Sequence, residues 1–273
     1  MKRLTSLTLA LAVFLSAYSQ GPVISEEWKV KGFGFSYGCD MDMLKSMDEK
    51  YFRSLLHSSE VGWDIGDVKL KESYVTSMIC ENPHFRLNVT TLPPSLKNTE
   101  INFAGVFIFG RIDMIDYVVT DESGESPVNR YLSFSSHSNE IALEATLIRR
   151  IPLFGKTFNL YTGLGSNLGV SYGGYLSASG QFDNITAPIG ETGPNYGFCG
   201  TESCGEYSYH YYRSRSTFSQ RLFGQLGLSA LFFQRVELGV ELRQGIGYRY
   251  IPGDDMRFTH LNSFGLTSRW HFR

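Results

Sequence analysis

Long apolar runs are missing from this chain: past residue 19 no stretch of 18 consecutive apolar residues occurs, which excludes a membrane protein built from helices. Excess charge of either sign is missing too. The formal net charge is −2, with 25 basic and 27 acidic residues, so no basic face points to nucleic acid as a partner. Cysteine is scarce, at 4 residues, and none of them forms a CxxC pair or lies at ligand spacing from a histidine, so a zinc site is weakly supported. Proline is sparse as well, at 9 of 273 residues. It collects at punctuation points such as Pro93-Pro94, Pro152 and Pro252, where a strand ladder must stop.

Glycine and aromatic residues are plentiful, at 28 glycines and 14% aromatics, a composition suited to the crowded interior and apolar wall of a β-barrel. The clearest segment is Arg235 to Ile251. Val236, Leu238, Val240, Leu242, Ile246, Tyr248 and Tyr250 fall on one parity, while Glu237, Glu241, Arg243 and Arg249 fall on the other with three glycines. Side chains alternate across a strand, so this is a strand with one apolar and one charged face. Its length of about 17 residues far exceeds the usual strand of roughly 5–6 and suits a bilayer crossing, where the apolar face turns outward.

Residues 1–19 have the form of a cleaved signal peptide: Lys2 and Arg3, an apolar run from Leu4 to Ala17, and small residues before Gln20. Residues 20–273 then form one domain. Alternation predicts strands near 28–38, within 72–92, and over 99–120, 130–151, 158–176, 207–233, 235–251 and 257–273. The first strand changes parity between Val30 and Phe33, which calls for a bulge near Gly32 or Gly34. The third is apolar on both faces. Long connections at about 39–71, 121–129, 180–206 and 252–257 alternate with short ones. The fold class expected is therefore all-β: a single eight-stranded antiparallel transmembrane barrel, with long loops at one end and tight turns at the other. Within the first loop Met43, Leu44, Met47, Tyr51, Leu55 and Leu56 recur at helical steps. A short helix there is expected to pack on its own loop, with capping the barrel or touching headgroups as alternatives.

Four cysteines in an exported chain read as two disulfides. Spacing favours Cys199 with Cys204, and hence Cys39 with Cys80; free thiols or a metal site stay open as alternatives. Glu144, Arg150, Arg221, Glu237, Glu241, Arg243, Arg249 and Arg269 are expected to face the lumen and pair there, since an eight-stranded interior is just wide enough to be filled by side chains.

This alternation, together with the ending Phe264-Gly265-Leu266-Thr267-Ser268-Arg269-Trp270-His271-Phe272-Arg273, resembles the small outer-membrane β-barrel family, the OmpX and OmpA-transmembrane-domain type. The resemblance spans nearly all of the chain after residue 19. It implies location in a Gram-negative outer membrane, contact with outer-membrane lipid, and insertion by the barrel-insertion machinery, with Phe264, Leu266, Trp270 and Phe272 as the C-terminal signal. It differs from the family pattern in ending on Arg273 after Phe272, and in placing Ser268 on the apolar face. No cofactor is expected.

The expected role is structural, adhesive or accessory to an envelope assembly or secretion complex, with an envelope protein or host surface met through the external loops. Tyr207, Tyr209, Tyr211 and Tyr212 cluster around His210; those of one parity fit an interfacial girdle, and the rest are candidates for such a surface. Two alternatives come from other classes. A small porin-like channel would need an open lumen. A lipid A deacylase-like enzyme would need a His and a Ser in reach of each other, for which His137 and Ser138 are candidates, although adjacent strand residues point to opposite faces. A soluble lipocalin-like barrel would turn its apolar faces inward.

Overall fold

A computed structural model describes residues 28–44, 48–57, 62–63, 71–74, 82–94, 99–121, 128–153, 157–180, 208–253 and 256–272. Residues 1–19 and the residues Cys80, Cys199 and Cys204 lie outside these, as do most of the predicted long loops. The elements are β1 (Lys29–Leu44), α1 (Glu49–Leu55), β2 (Lys71–Tyr74), β3 (Asn82–Leu92), β4 (Thr99–Asp121), β5 (Val128–Leu153), β6 (Phe158–Gly180), β7 (Ser208–Arg213), β8 (Phe218–Phe232), β9 (Val236–Tyr250) and β10 (Arg257–His271).

Eight of the strands close a ring. β1 pairs with β3, β3 with β4, β4 with β5, β5 with β6, β6 with β8, β8 with β9 and β9 with β10, every pair antiparallel, and β10 returns to β1. Closure removes the sheet edges that an open sheet would expose. The tightest turn, Phe233-Gln234-Arg235, places Phe233 and Gln234 at φ 51° and 58°. This is the left-handed backbone that a short hairpin return requires.

Three adjacent strands kink at one level. In β4 the pairing with β5 slips between Ile108 and Arg111, with Gly110 at φ +61° donating its N–H to Asn139 Oδ1 at 3.0 Å. The β5–β6 register slips between His137 and Asn139, and Gly173 of β6 sits at φ +60°. The extra residues lie on β4 and β6 and reverse the parity of those two strands, while β5 between them keeps its own. Before the β4 bulge, Ala104, Val106 and Ile108 point into the barrel; after it Arg111, Asp113, Ile115 and Tyr117 do. Both faces of this strand are indeed apolar: Phe103, Phe109 and Ile112 are exposed, while Ala104, Val106, Ile108 and Ile115 are buried inside. In β1 the slip lies between Val30 and Gly32, where the change in aromatic parity calls for it.

Above the kink the ring changes character. β4, β5 and β6 continue as a tall wall, extended by β2 on β4 and by β7 on β6. The expected single strand over 207–233 is therefore two, β7 and β8. Ser214 to Thr217 bridge them opposite the Gly173 bulge, with Ser214 N–H donating to Gly174 O and Ser171 N–H to Thr217 O. β1 also runs on through Leu44, so the first loop starts later than residue 39. Met43 and Leu44 belong to a strand instead of the helix.

The helix packs on its own loop through Trp63, and also on the wall. Asp48 caps it, accepting from Tyr51 N–H at 2.8 Å, and it lays Tyr51, Phe52 and Leu55 against the inner face of the wall. With Trp63 these residues meet Ile115, Tyr117, Leu132, Phe134, Leu176, Ala178 and Tyr212. Trp63 and Phe52 lie 4.6 and 5.8 Å from the Phe134 ring, centroid to centroid. A compact apolar core therefore fills the outer mouth of the barrel.

Glycine makes one further contact that the fold depends on. A Cβ at Gly227 would lie 2.1 Å from Cζ of Tyr161, a ring buried in the lumen. G227A is expected to cost about 1–3 kcal/mol by overpacking, and Y161V to restore it. Denaturant unfolding of the refolded barrel measures both.

Candidate functional site: the lumen and the outer wall

The strand that alternates most cleanly shows which way the barrel is turned. On β9 Leu238, Val240, Leu242, Ile246, Tyr248 and Tyr250 are exposed, while Glu237, Glu241, Arg243 and Arg249 are buried. The same holds around the ring: Leu143 and Leu164 are 74% and 62% exposed, whereas Glu140 and Arg221 are 1% exposed. This arrangement inverts a soluble protein and excludes the lipocalin-like alternative, which needs apolar faces inside. An apolar belt around a closed ring is the surface of a membrane-spanning barrel. Phe264, Leu266, Trp270 and Phe272 all belong to it.

Buried charges fill the space inside, in tiers. Nearest the long-loop end, Arg249 Nη1 meets Asp113 Oδ2 at 2.5 Å. Tyr51 of α1 joins them, donating its hydroxyl to Asp113 Oδ2 at 2.8 Å and accepting from Arg249 Nη1 at 2.6 Å. Below, Glu140 lies between two guanidinium groups: Arg111 Nη1 at 2.5 Å, and Arg221 in a fork at 2.7 and 2.9 Å. Ser219 Oγ adds a donor at 2.8 Å. Such bidentate pairing is the strongest form of the charge-assisted bond.

In the middle, Arg243 binds Glu144 at 2.7 Å and Glu241 at 2.9 Å. Arg86 approaches Glu241, Asp40 and Glu144 at 3.4, 3.5 and 3.7 Å, and His84 Nδ1 lies 3.0 Å from Asp40. At the short-turn end Arg150 joins Glu100 at 2.7 Å and Glu237 at 2.5 Å, Lys31 reaches Glu100, and His271 meets Glu237 at 2.7 Å. Arg269 lies over the Tyr161 ring at 5.2 Å.

All eight lumen charges named from the sequence thus sit inside the ring. The eight leave out Asp40, His84, Arg86, Glu100, Arg111, Asp113 and Glu140. Arg111, Asp113 and Glu140 lie beside the bulges and Asp40 on the untidy first strand, whereas His84 and Arg86 alternate regularly with Phe85 and Leu87. Paired charges thus fill the described lumen, and the apolar core of α1 and Trp63 lies across its long-loop end.

The Ser and His candidates separate. Ser138 pairs with lumen-facing Arg111, whereas His137 pairs with outward Ile112 and Tyr175, so the two cannot act together. A different serine reaches His137: Ser135 Oγ lies 3.3 Å from its Nε2 and 2.6 Å from Ser177 Oγ. The His137 ring stacks on Tyr175 at 4.6 Å and 9°. No group of three or more potential metal ligands occurs among the described residues. The Cys39 thiol is not free, and it sits at the loop end of β1, opposite Pro83 of β3.

By class, then, the chain is a closed membrane-spanning β-barrel with a charge-filled interior and a one-sided outer wall. No family model matches the chain, and no curated protein does. Among solved structures it is similar to Neisserial surface protein A (12% identity, 90% of this chain and 100% of that one, TM-score 0.39). It is similar also to the outer membrane protein OprG from Pseudomonas aeruginosa (10% identity, 90% and 97%, TM-score 0.37), and to Ail, the attachment invasion locus protein of Yersinia pestis (13% identity, 89% and 100%, TM-score 0.32).

Proposed function

We propose that this chain is an integral protein of a bacterial outer membrane, exported through residues 1–19. Its role is structural, adhesive or accessory to an envelope assembly or secretion complex, and is exerted through the outer wall and loops. The filled lumen carries this reading. Buried charges at 2.5–2.9 Å from one another, as in Arg111, Glu140 and Arg221, occupy the path an ion would take, and α1 with Trp63 covers its mouth. Nothing crosses such a barrel cheaply, because a charge leaving its partner inside the lumen is left unpaired. Function therefore falls to surfaces that meet lipid or partners.

A disulfide from Cys39 to Cys80 would tie β1 to β3 at their loop ends and limit the reach of the first loop. The enzyme alternative is less well supported: Ser135 and His137 touch, yet the Ser135 hydroxyl is also bonded to Ser177, and nucleophile activation needs a base held by a further group. Reconstituted into planar bilayers, the protein is expected to give no steady conductance, and to fractionate with the outer membrane while migrating in a heat-modifiable way. Open-channel current from the wild type, or recovery in the soluble fraction without detergent, overturns the proposal.

A further inference from the structure

The wall above the kink has an outer face as well as an inner one, and α1 does not cover it. Across β5, β6 and β7 this face carries a continuous aromatic strip. His137 stacks on Tyr175, and Tyr175 meets Tyr211 edge to face at 6.0 Å. Tyr175 and Tyr211 are 43% and 47% exposed. Arg213, register partner of Tyr175, is exposed beside them, and the two tyrosines carry their own hydroxyls. Rings, hydroxyls and a cation on one surface are the elements that recognise a phosphorylated sugar. Rings pack against its C–H faces, hydroxyls exchange hydrogen bonds with its own, and guanidinium addresses phosphate.

Height selects the source of that sugar. The belt on β6 ends at Tyr172, level with the other outward rings at the loop end, Tyr248 and Tyr250 of β9 and Phe218 of β8. Tyr211 pairs with Ser177, and Ser177 and Tyr172 face Ser135 and Asn139 of β5, four steps apart across the bulge. A strand rising about 3.4 Å per residue and tilted about 45° gains roughly 2.4 Å of height per residue, which puts Tyr211 about 10 Å above the girdle. The strip is continuous with the lipid-facing belt, so its occupant is the headgroup of a lipid whose chains lie on that belt. We propose that the strip of His137, Tyr175, Tyr211 and Arg213 binds the phosphorylated saccharide headgroup of an outer-leaflet glycolipid, and so fixes the wall's orientation and the lipid shell beside it. This rests on the outer-membrane reading above.

The test uses the full barrel refolded in a sugar-free zwitterionic detergent. It is titrated separately with lipopolysaccharide bearing its core sugars, with the free deacylated core oligosaccharide, and with phosphatidylglycerol, and bound lipid is counted by native mass spectrometry. Lipopolysaccharide is expected to bind at least about tenfold more tightly than phosphatidylglycerol, the free oligosaccharide to bind weakly, and the Y175A/Y211A pair to lose about tenfold of the affinity for lipopolysaccharide, the scale of one well-packed aromatic anchor. R213Q is expected to lose several-fold through the phosphate contact. Equal affinity for lipopolysaccharide and phosphatidylglycerol, or unchanged binding by the double variant, overturns the proposal, and tight binding of the free oligosaccharide reassigns the strip to a soluble sugar and overturns it as well. Heat-modifiable migration of the same preparations separates the two readings: with it intact, failed binding refutes the strip alone, and its absence in the wild type refutes the barrel reading with it.

Discussion

E140Q is expected to destabilise the refolded barrel by about 3–5 kcal/mol, the cost of stripping a buried charge pair of one partner. Glu140 lies 2.5 Å from Arg111 and 2.7 Å from Arg221, and both guanidinium groups are buried. Glutamine keeps the size and one acceptor while removing the charge. The cations then repel each other in a medium that screens them poorly. A second substitution, R221M, removes one of the two neighbouring cations and is expected to return part of the loss, because an apolar side chain of similar volume does not need a partner. Urea unfolding of the single and double variants in the same detergent measures this. A single variant within about 0.5 kcal/mol of the wild type, the range of ordinary surface changes, refutes the view that these pairs fix the interior.

Strand parity made much of this architecture legible. Wherever alternation is unbroken, as in β8, β9 and β10, the residues assigned to lipid and lumen from sequence are the ones found there: Leu226, Leu238 and Leu266 are exposed, and Arg221, Glu241 and Arg269 are buried. Where a bulge intervenes, a count in twos goes wrong by one. Gly110 is a visible signal in hindsight, because a glycine flanked by Phe109 and Arg111 lets one strand turn both an aromatic and a charge to their proper sides. Its partner Asn139, accepting from Gly110 N–H at 3.0 Å, lies 29 positions away and carries no local signature. The serine beside His137 follows from alternation alone. Residues two apart share a face, so Ser135 was always the geometric neighbour, while Ser138 followed the lumen. Non-local pairing decides the bulges instead.

The helix is a different kind of miss. Its apolar steps announced Tyr51 and Leu55, but not what they would touch, because the surface that receives them is assembled from β4, β5, β6 and β7 together. Phe134 and Leu132 read as ordinary strand residues. They keep the inward parity of Glu140 and Glu144 on β5, and the bulges in β4 and β6 bring Ile115, Tyr117, Leu176 and Ala178 inward beside them, above the charged lumen.

That filling is separable from the barrel beneath it, and F134A tests this. Phe134 is fully buried and touches Phe52, Trp63 and Tyr117, so its loss is expected to cost about 3–5 kcal/mol of local stability, as for a large aromatic cut from a core. The charge tiers below do not include it. The membrane ring should therefore keep its heat-modifiable migration while the cap loosens, an opening confined to one cooperative unit. Limited proteolysis from outside sealed vesicles is expected to cut F134A within the segment around α1 many times faster than the wild type. The polar latch of Tyr51, Asp113 and Arg249 marks the boundary between the units, so Y51F should loosen the cap more mildly, by about 1 kcal/mol for one hydrogen bond. If F134A instead abolishes the heat-modifiable form, cap and ring fold as one unit and the division drawn at the kink is wrong. Protection of the α1 segment equal to that of the wild type would mean that the apolar contacts of Phe134 do not hold the cap in place.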